Sequence, residues 1–458
     1  MADLTAPPKT HYSDPMKRTN RTLLLLESLK PFQLLSMGFF SYVVLGLALL
    51  ALPAAQTVPV PWVDNLFTVV SAMSTTGLST VSVADSYTFF GEFVVLVLMQ
   101  LGGLGYMTIT SFIILSRKER LSGVRHGILS TQFALPQGFW ISQFVRHIVL
   151  FTLVIETLGA LCLYVQFARA GVSEPLWSAV FHSVSSFATA GFSLNNNSLE
   201  GFRDHVAVNA TIGTLCYLGA IGFIVLQDAF MACTRKGHRI TFTSKTILLM
   251  TALVLLVSAP VLMFFEPEIR HLPWPERICV SVFQIMTASS TAGFNTIPIG
   301  TLSAASLTVI IVSMVIGASP SGTGGGIKTT SFSALLGILV SILRGRTEEI
   351  TFFKRTIPTY RLMNAVASVT LYVLVLWGGI FLLSLSERQD YLKLVFEASS
   401  ALGTVGLSMG ITSALTGAGK LIITALMFLG RVGPLTLGMA FFHSSYTCAA
   451  RPNDDLVT

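Results

Sequence analysis

Four stretches of this chain pair a threonine with a glycine two positions later: Ser74-Thr75-Thr76-Gly77-Leu78-Ser79, Ala188-Thr189-Ala190-Gly191-Phe192-Ser193, Ser290-Thr291-Ala292-Gly293-Phe294-Asn295 and Gly403-Thr404-Val405-Gly406-Leu407-Ser408. A phenylalanine stands ten positions before each glycine, at Phe67, Phe181, Phe283 and Phe396. The glycines lie 114, 102 and 113 residues apart, so the chain reads as four diverged copies of one unit. The chemistry such a set can perform is the exchange of a cation's water shell for protein oxygens. Backbone carbonyls do this when a loop is held extended around an axis. The glycine supplies dihedrals outside the range of other residues, and the threonine adds a hydroxyl. The candidate ligands are Thr75, Thr76, Gly77 and Leu78; Thr189, Ala190, Gly191 and Phe192; Thr291, Ala292, Gly293 and Phe294; and Thr404, Val405, Gly406 and Leu407. One such loop would more simply end a helix; four in register behind the same kind of segment point to a shared task.

The elements that position these loops follow from apolar runs. Each stretch comes after a run too short to cross a bilayer, at 62–73, 177–187, 275–288 and 391–401. Crossing a hydrocarbon core takes roughly 20 helical residues, so these runs predict re-entrant pore helices. Their C-terminal ends, carrying about half a negative charge, point at the loops and disfavour anions. Eight further runs are apolar enough to span: 34–54, 90–115, 140–167, 205–233, 245–265, 304–343, 362–385 and 417–442. Two crossings per unit make all four units enter from the same side, as parallel repeats about an axis along the membrane normal. The expected fold is an all-α membrane protein of four repeats, each a span, a pore helix and a second span, around a central pseudo-fourfold pore. The repeats are expected at 32–125, 126–240, 241–355 and 356–445, between cytosolic tails at 1–31 and 446–458.

With 52% hydrophobic residues, 11% charged residues and a mean hydropathy of +0.71, a water-soluble globule is excluded. The net charge of +7 would suit nucleic acid if it were clustered, but its placement argues otherwise. The side that holds both termini and the long inter-unit loops carries 19 of the 29 Lys and Arg, while 12 of the 22 acids fall on the other side. This asymmetry places both termini in the cytoplasm and gives an acidic outer face that suits cation entry. Five scattered cysteines without CxxC spacing suggest neither a disulfide framework nor a metal site. The first 20 residues are polar, so no cleavable signal peptide is expected.

The run 304–343 is too long for one crossing and is interrupted by GASPSGTGGGIKTT, from Gly317 to Thr330. Pro320 with Gly322, Gly324, Gly325 and Gly326 cannot sustain a helix, and a disordered polar segment at that depth must lie in a water-filled cavity. Gly317, Ser319, Ser321, Thr323 and Lys328 belong to the same segment, which is expected beneath the four loops as a gate. It is not a phosphate-binding loop, because Ile327 separates Gly326 from Lys328. The other second spans carry a small-residue counterpart, GGLG at 102–105, GAIG at 219–222 and GRVG at 430–433, and only the third unit expands it into a loop. Arg431, a cation inside a span, is expected to form a positive barrier below the loops or to tether the gate. Arg146 and Glu156 are read as a structural partnership or a helix-packing contact, and His182 and Glu397 as pore-helix support. No HExxH, Ser/His/Asp arrangement or nucleotide motif appears, which argues against an enzyme.

The four Thr-x-Gly loops behind short helices, the SPSGTGGGIKTT segment and Gly430-Arg431-Val432-Gly433-Pro434 resemble the Ktr/Trk/HKT superfamily of potassium transporters over about residues 32–445. The likeness is strongest to its KtrB-type membrane subunits. It implies potassium uptake across the plasma (bacterial inner) membrane by a homodimer with one pore per subunit. It also implies a cytosolic ring of RCK-type, KtrA-like regulatory subunits that bind adenine nucleotides, the broken span as gate, and Arg431 as part of the barrier. Nucleotide would act only through that partner, with no covalent cofactor and no nucleic acid. In plant relatives a serine at the first filter glycine accompanies sodium selectivity; Gly77 and its three counterparts are all glycine here, which favours potassium. Sodium stays open as activator or passenger. The alternative is a sodium- or proton-coupled symporter, which needs an intramembrane acid beside the pathway, and Glu156, in the middle of the run 140–167, is the candidate.

Overall fold

The structure is a computed structural model that describes residues 31–105, 108, 129, 141–235, 239–345, 350–352 and 355–435. The expected N-terminal tail, the basic loop around 117–126, the C-terminal tail and the distal parts of the second spans of units one and four lie outside these residues.

The first unit contains α1 (Pro31–Leu50), the pore helix α2 (Trp62–Met73) and α3 (Phe89–Leu104). The second has α4 (Ile141–Arg169), the pore helix α5 (Pro175–Phe187), α6 (Val206–Ala220) and α7 (Phe223–Thr234). The third has α8 (Phe242–Phe265), the pore helix α9 (Trp274–Ser289), α10 (Ala304–Val315) and α11 (Thr329–Leu343). The fourth has α12 (Thr359–Ser386), the pore helix α13 (Tyr391–Gly403) and α14 (Gly417–Val432). Between α11 and α12 runs a two-residue antiparallel hairpin, β1 (Thr351–Phe352) with β2 (Arg355–Thr356). Apart from it and an isolated bridge between Gln56 and Tyr87, the described residues are helix and loop.

Burial runs opposite to that of a soluble protein. Among the described residues α4, α8 and α12 are each long and apolar enough to cross a membrane alone, and they leave leucines such as Leu153, Leu158, Leu256 and Leu374 exposed. Such a surface is stable against lipid. The pore helices form the interior. Phe67, Phe181 and Phe396 are 0% exposed and Phe283 is 2% exposed, each packed into an apolar cluster. The repeated phenylalanine therefore anchors its pore helix in the core.

The second helix of every unit is broken, where the sequence reading expected a break in the third alone. Helix α3 ends at Leu104 before Gly105 (φ 78), α6 and α7 meet at 98° across Gly222 (φ 91), and α14 ends at Val432 before Gly433 (φ 87). In the third unit the whole loop 316–328 intervenes. The physical reason is a close approach. A Cβ on Gly102, Gly219 or Gly430 would overlap the carbonyl of Met73, Phe187 or Leu402, in the last turn of the same unit's pore helix. These three helices thus press a bare backbone onto the end of their pore helices, and in the second unit the chain then bends by 98°.

Polar contacts bind neighbouring units at the rim. Trp177 Nε1 donates to Glu92 Oε2 at 2.5 Å, Arg203 pairs with Glu276 at 2.6 Å, and Lys420 pairs with Asp64 at 2.6 Å. Each links the entry to one unit's second helix with the start of the next unit's pore helix.

Candidate functional site

Each pore helix ends in the same way. Thr75, Thr189, Thr291 and Thr404 adopt left-handed φ values of 55, 52, 60 and 50°. Their N–H groups bond back to Ala72, Ser186, Ala288 and Ala401 at 3.1–3.2 Å. The following N–H groups reach the carbonyls of Ser71, Ser185, Thr287 and Ser400 at 2.8–2.9 Å. This double closure is a Schellman motif. A β-branched residue with positive φ is a genuine outlier, and its recurrence at four equivalent sites means that the surroundings impose it. The glycines two residues on continue with φ of 90, 68, 76 and 95°.

These turns bring the four loops into one closed ring. A Cβ on Gly77 would overlap Ala190 O, one on Gly191 would overlap Ala292 O, one on Gly293 would overlap Val405 O, and one on Gly406 would overlap Thr76 O. Unit one touches two, two touches three, three touches four, and four returns to one. The ring therefore runs in chain order, and glycine is required for space as well as for dihedral. One cavity of about 350 Å³ lies against the ring on the side of Ser79, Ser193, Asn295 and Ser408. A second, also about 350 Å³, lies on the side of Gly102, Pro320, Lys328 and Arg431.

Of the residues grouped with the loops from sequence, Leu78, Phe192 and Phe294 stand apart. Their carbonyls accept from the side chains of Ser71, Ser185 and Thr287 at 2.7, 2.8 and 2.8 Å, so they turn toward their own pore helices. Leu407, at the equivalent position, is 1% exposed. The hydroxyl residues that hold these carbonyls were not singled out by sequence reasoning. The signal was present, since Ser71, Ser185, Thr287 and Ser400 all stand six positions before their glycine.

The segment 316–328 is ordered by hydrogen bonds, in contrast to the disordered loop expected from its composition. Gly317 N bonds to Ile327 O, Ala318 N to Gly325 O, and Ser319 N and Thr323 N to Ala220 O and Gly219 O, all at 3.0–3.1 Å. Ser321 meets the bend of the second unit, where Phe223 N and Ile224 N donate to its carbonyl and hydroxyl. Thr329 and Thr330, grouped with the loop from sequence, already belong to α11. The tip touches all four threonines. Thr75 Oγ1 donates to Thr323 O at 3.1 Å, Thr323 Oγ1 meets Thr189 Oγ1 at 3.0 Å, Gly325 N donates to Thr404 Oγ1 at 2.9 Å, and Gly324 abuts Thr291 Oγ1 so closely that a Cβ has no room. Pro320 and Gly322 lie nearby, each against the Gly222 or Ala220 backbone.

Two cations attend this tip. Arg431 donates to Thr323 O and Gly102 O, to Thr75 Oγ1 at 3.2 Å and to Gly103 O at 3.4 Å. Lys328 Nζ donates to Gly324 O at 2.7 Å. All these partners are neutral oxygens, so the positive charges face the lower cavity without a carboxylate among them.

The remaining polar residues act as supports. His182 Nδ1 donates to Ser178 O at 2.7 Å, which leaves Nε2 to accept from Ser193 Oγ at 2.9 Å. Glu397 accepts from Ser408 Oγ and from Thr412 Oγ1 at 3.1 Å. Both therefore tie a pore helix to the residue two beyond its glycine. Glu156 accepts from Gln100 Nε2 of the first unit at 2.9 Å. Arg146 lies ten residues away on the same helix, about 15 Å by helical rise, so these two do not pair with each other.

The sequence matches the family described as TrkH, cation transport protein, over residues 21–446. Ktr system potassium uptake protein B of Bacillus subtilis is 34% identical over 436 residues, covering 93% of this chain and 96% of that protein. The potassium/sodium uptake protein NtpJ of Enterococcus hirae is 33% identical over 421 residues, covering 89% and 92%. The crystal structure of the potassium transporter TrkH from Vibrio parahaemolyticus aligns with a TM-score of 0.71 at 20% identity, over 90% of this chain and 84% of that one, a likeness of fold.

Proposed function

The chain belongs to the TrkH family of cation transport proteins, a family of membrane transporters and not of enzymes, and from that premise we propose that it is a gated potassium uptake pathway driven by the membrane potential. The four Thr-x-Gly loops act as its selectivity filter, and the segment 316–328 acts as its gate. The observation that carries the reading is the closed ring of Gly77, Gly191, Gly293 and Gly406, with Thr323, Gly324 and Gly325 set directly beneath its four threonines. A ring of this kind offers oxygens at several levels to a dehydrating cation. Inward flow is then driven by about 2.3 kcal/mol per charge for each 100 mV. The relatives named for potassium uptake support potassium as the cargo.

Sodium enters the reading through the relative named for both ions, as activator or as passenger. The coupled-symporter alternative rests on Glu156, which is buried in α4 with no hydrogen-bond partner for Oε1 among the described residues. The resemblance adds a homodimer in the bacterial inner membrane, both termini in the cytoplasm, and a cytosolic nucleotide-binding regulatory ring; co-purification of that ring with the full chain tests this part.

The main test is uptake by potassium-starved cells that lack their own systems, with and without sodium. Growth rescue and potassium accumulation without sodium favour the uniport, and an absolute, stoichiometric sodium requirement favours the symporter. Gly293→Ser forces a side chain onto Val405 O at φ 76°. It is expected to lower the potassium over sodium preference, and an unchanged preference counts against the filter assignment.

A further inference from the structure

The loops are held from behind by one hydroxyl each. Ser71, Ser185, Thr287 and Ser400 lie in the last turns of their pore helices, six residues before the glycine, and all are 0% exposed. Their backbone carbonyls receive the Schellman N–H, and their side chains make a second tie. The hydroxyls of Ser71, Ser185 and Thr287 donate to the carbonyl after the glycine at 2.7–2.8 Å. Those of Ser71 and Ser400 accept the glycine N–H itself, at 3.1 and 3.0 Å. A buried hydroxyl can donate once and accept as well, and Ser71 does both. The carbonyls of Leu78, Phe192 and Phe294 are thereby turned toward their pore helices, and the carbonyl before each glycine is left against the neighbouring loop.

We propose that these four hydroxyls are specificity-determining positioning residues that set the width of the ring and the number of carbonyl levels it offers. The claim rests on the reading of the ring as a selectivity filter and goes beyond it by naming what fixes its geometry. In the first three copies, loss of the hydroxyl leaves the carbonyl after the glycine a buried acceptor without that partner, and in the fourth it leaves the glycine N–H without its acceptor. The nearest way to satisfy that carbonyl is to swing it toward the ion path. A ring with one more mobile oxygen per unit adapts to a smaller ion and discriminates less. A helix-end serine with a merely structural role would instead, when lost, lower the amount of folded protein and reduce both fluxes together.

The third copy provides the cleanest test, because Thr287→Val keeps the shape and removes only the hydroxyl, while Thr287→Ser keeps the hydroxyl. The full chain is reconstituted into liposomes, and potassium and sodium uptake are measured on the same preparations. Thr287→Val is expected to lower the potassium over sodium preference about tenfold, the scale of one buried hydrogen bond, and Thr287→Ser to preserve it. In the second copy Ser185→Ala should do the same and Ser185→Thr should rescue it. Should Ser185→Ala fail to fold, the isosteric valine decides alone. An unchanged ratio in Thr287→Val, or a fall of both fluxes at constant ratio, overturns the proposal. If Gly293→Ser still relaxes selectivity in that case, the filter reading survives; if it too leaves the ratio unchanged, the filter reading falls as well.

Discussion

Arg431 shows how much a single side chain can bridge. From α14 of the fourth unit it reaches the loop tip of the third, at Thr323 O, and the first unit, at Thr75 Oγ1 and Gly102 O. An arginine at membrane depth is expensive unless its donors are satisfied, and here carbonyls satisfy them without neutralising the charge. It fastens the tip, and on the proposed reading its charge also repels an arriving cation. Arg431→Met is therefore expected to raise potassium flux about tenfold, since losing charge-assisted bonds of about 1.5 kcal/mol or more shifts a closed loop toward opening by that factor. Uptake in potassium-starved cells reads this directly, and flux that stays level or falls rejects the tether. The sequence made Arg431 conspicuous because a charge inside an apolar run stands out. It left the hydroxyl at 71, 185, 287 and 400 unremarked, because serine and threonine occur anywhere in membrane helices. Only alignment on the glycines reveals the register. The left-handed threonines were equally hidden, since residue type argued against that conformation.

Helix by helix, pattern and geometry agree where an apolar run meets a turn signal. The first pore helix was expected at 62–73 and forms as Trp62–Met73; the others differ by three residues or fewer at either end, at Pro175–Phe187, Trp274–Ser289 and Tyr391–Gly403. The second helices were misjudged. Hydropathy sees 205–233 as one run, but the backbone bends by 98° within it. The cause is the contact of Gly219 with Phe187 O, between segments some thirty positions apart, and periodicity carries no information about such contacts. The break in the third unit was legible because proline and glycines exclude a helix, although the loop's ordered course was not. Its bonds go to Gly219, Ala220 and three of the four threonines, Thr75, Thr189 and Thr404, partners that composition cannot name. Deleting Ser321 to Gly326 removes Thr323, Gly324 and Gly325 from beneath the ring, and potassium flux is expected to rise. Flux that is unchanged or lower in correctly inserted protein would exclude a gating role for this element.

At the scale of the whole molecule, four repeats along a chain do not by themselves specify a closed ring, since units one and four have no covalent connection. The first three junctions are held by chain continuity and by side chains. The fourth lacks that continuity and is held by packing and polar contacts. One apolar cluster joins α1, α2 and α3 to α12, α13 and α14 there, including Phe67, Met73, Leu402 and Leu426, and the Lys420–Asp64 pair closes the rim. That pair is largely buried, at 16% and 9% side-chain exposure, so removing one member strands the other away from water at a cost of about 3–5 kcal/mol. Asp64→Ala should therefore lower the Tm of the detergent-solubilised full chain by several degrees. Asp390→Ala, which breaks an exposed pair with Lys393, should shift it by little, because such pairs contribute about 0–1 kcal/mol. Combining Asp64→Ala with Lys420→Met should restore part of the loss, a non-additivity that a double-mutant cycle measures. If ring closure depends on this junction, Asp64→Ala also lowers Tm more than Glu92→Ala or Glu276→Ala, whose junctions the chain itself still spans. Equal shifts at all three would mean that the junction between units four and one has no special part in closing the ring.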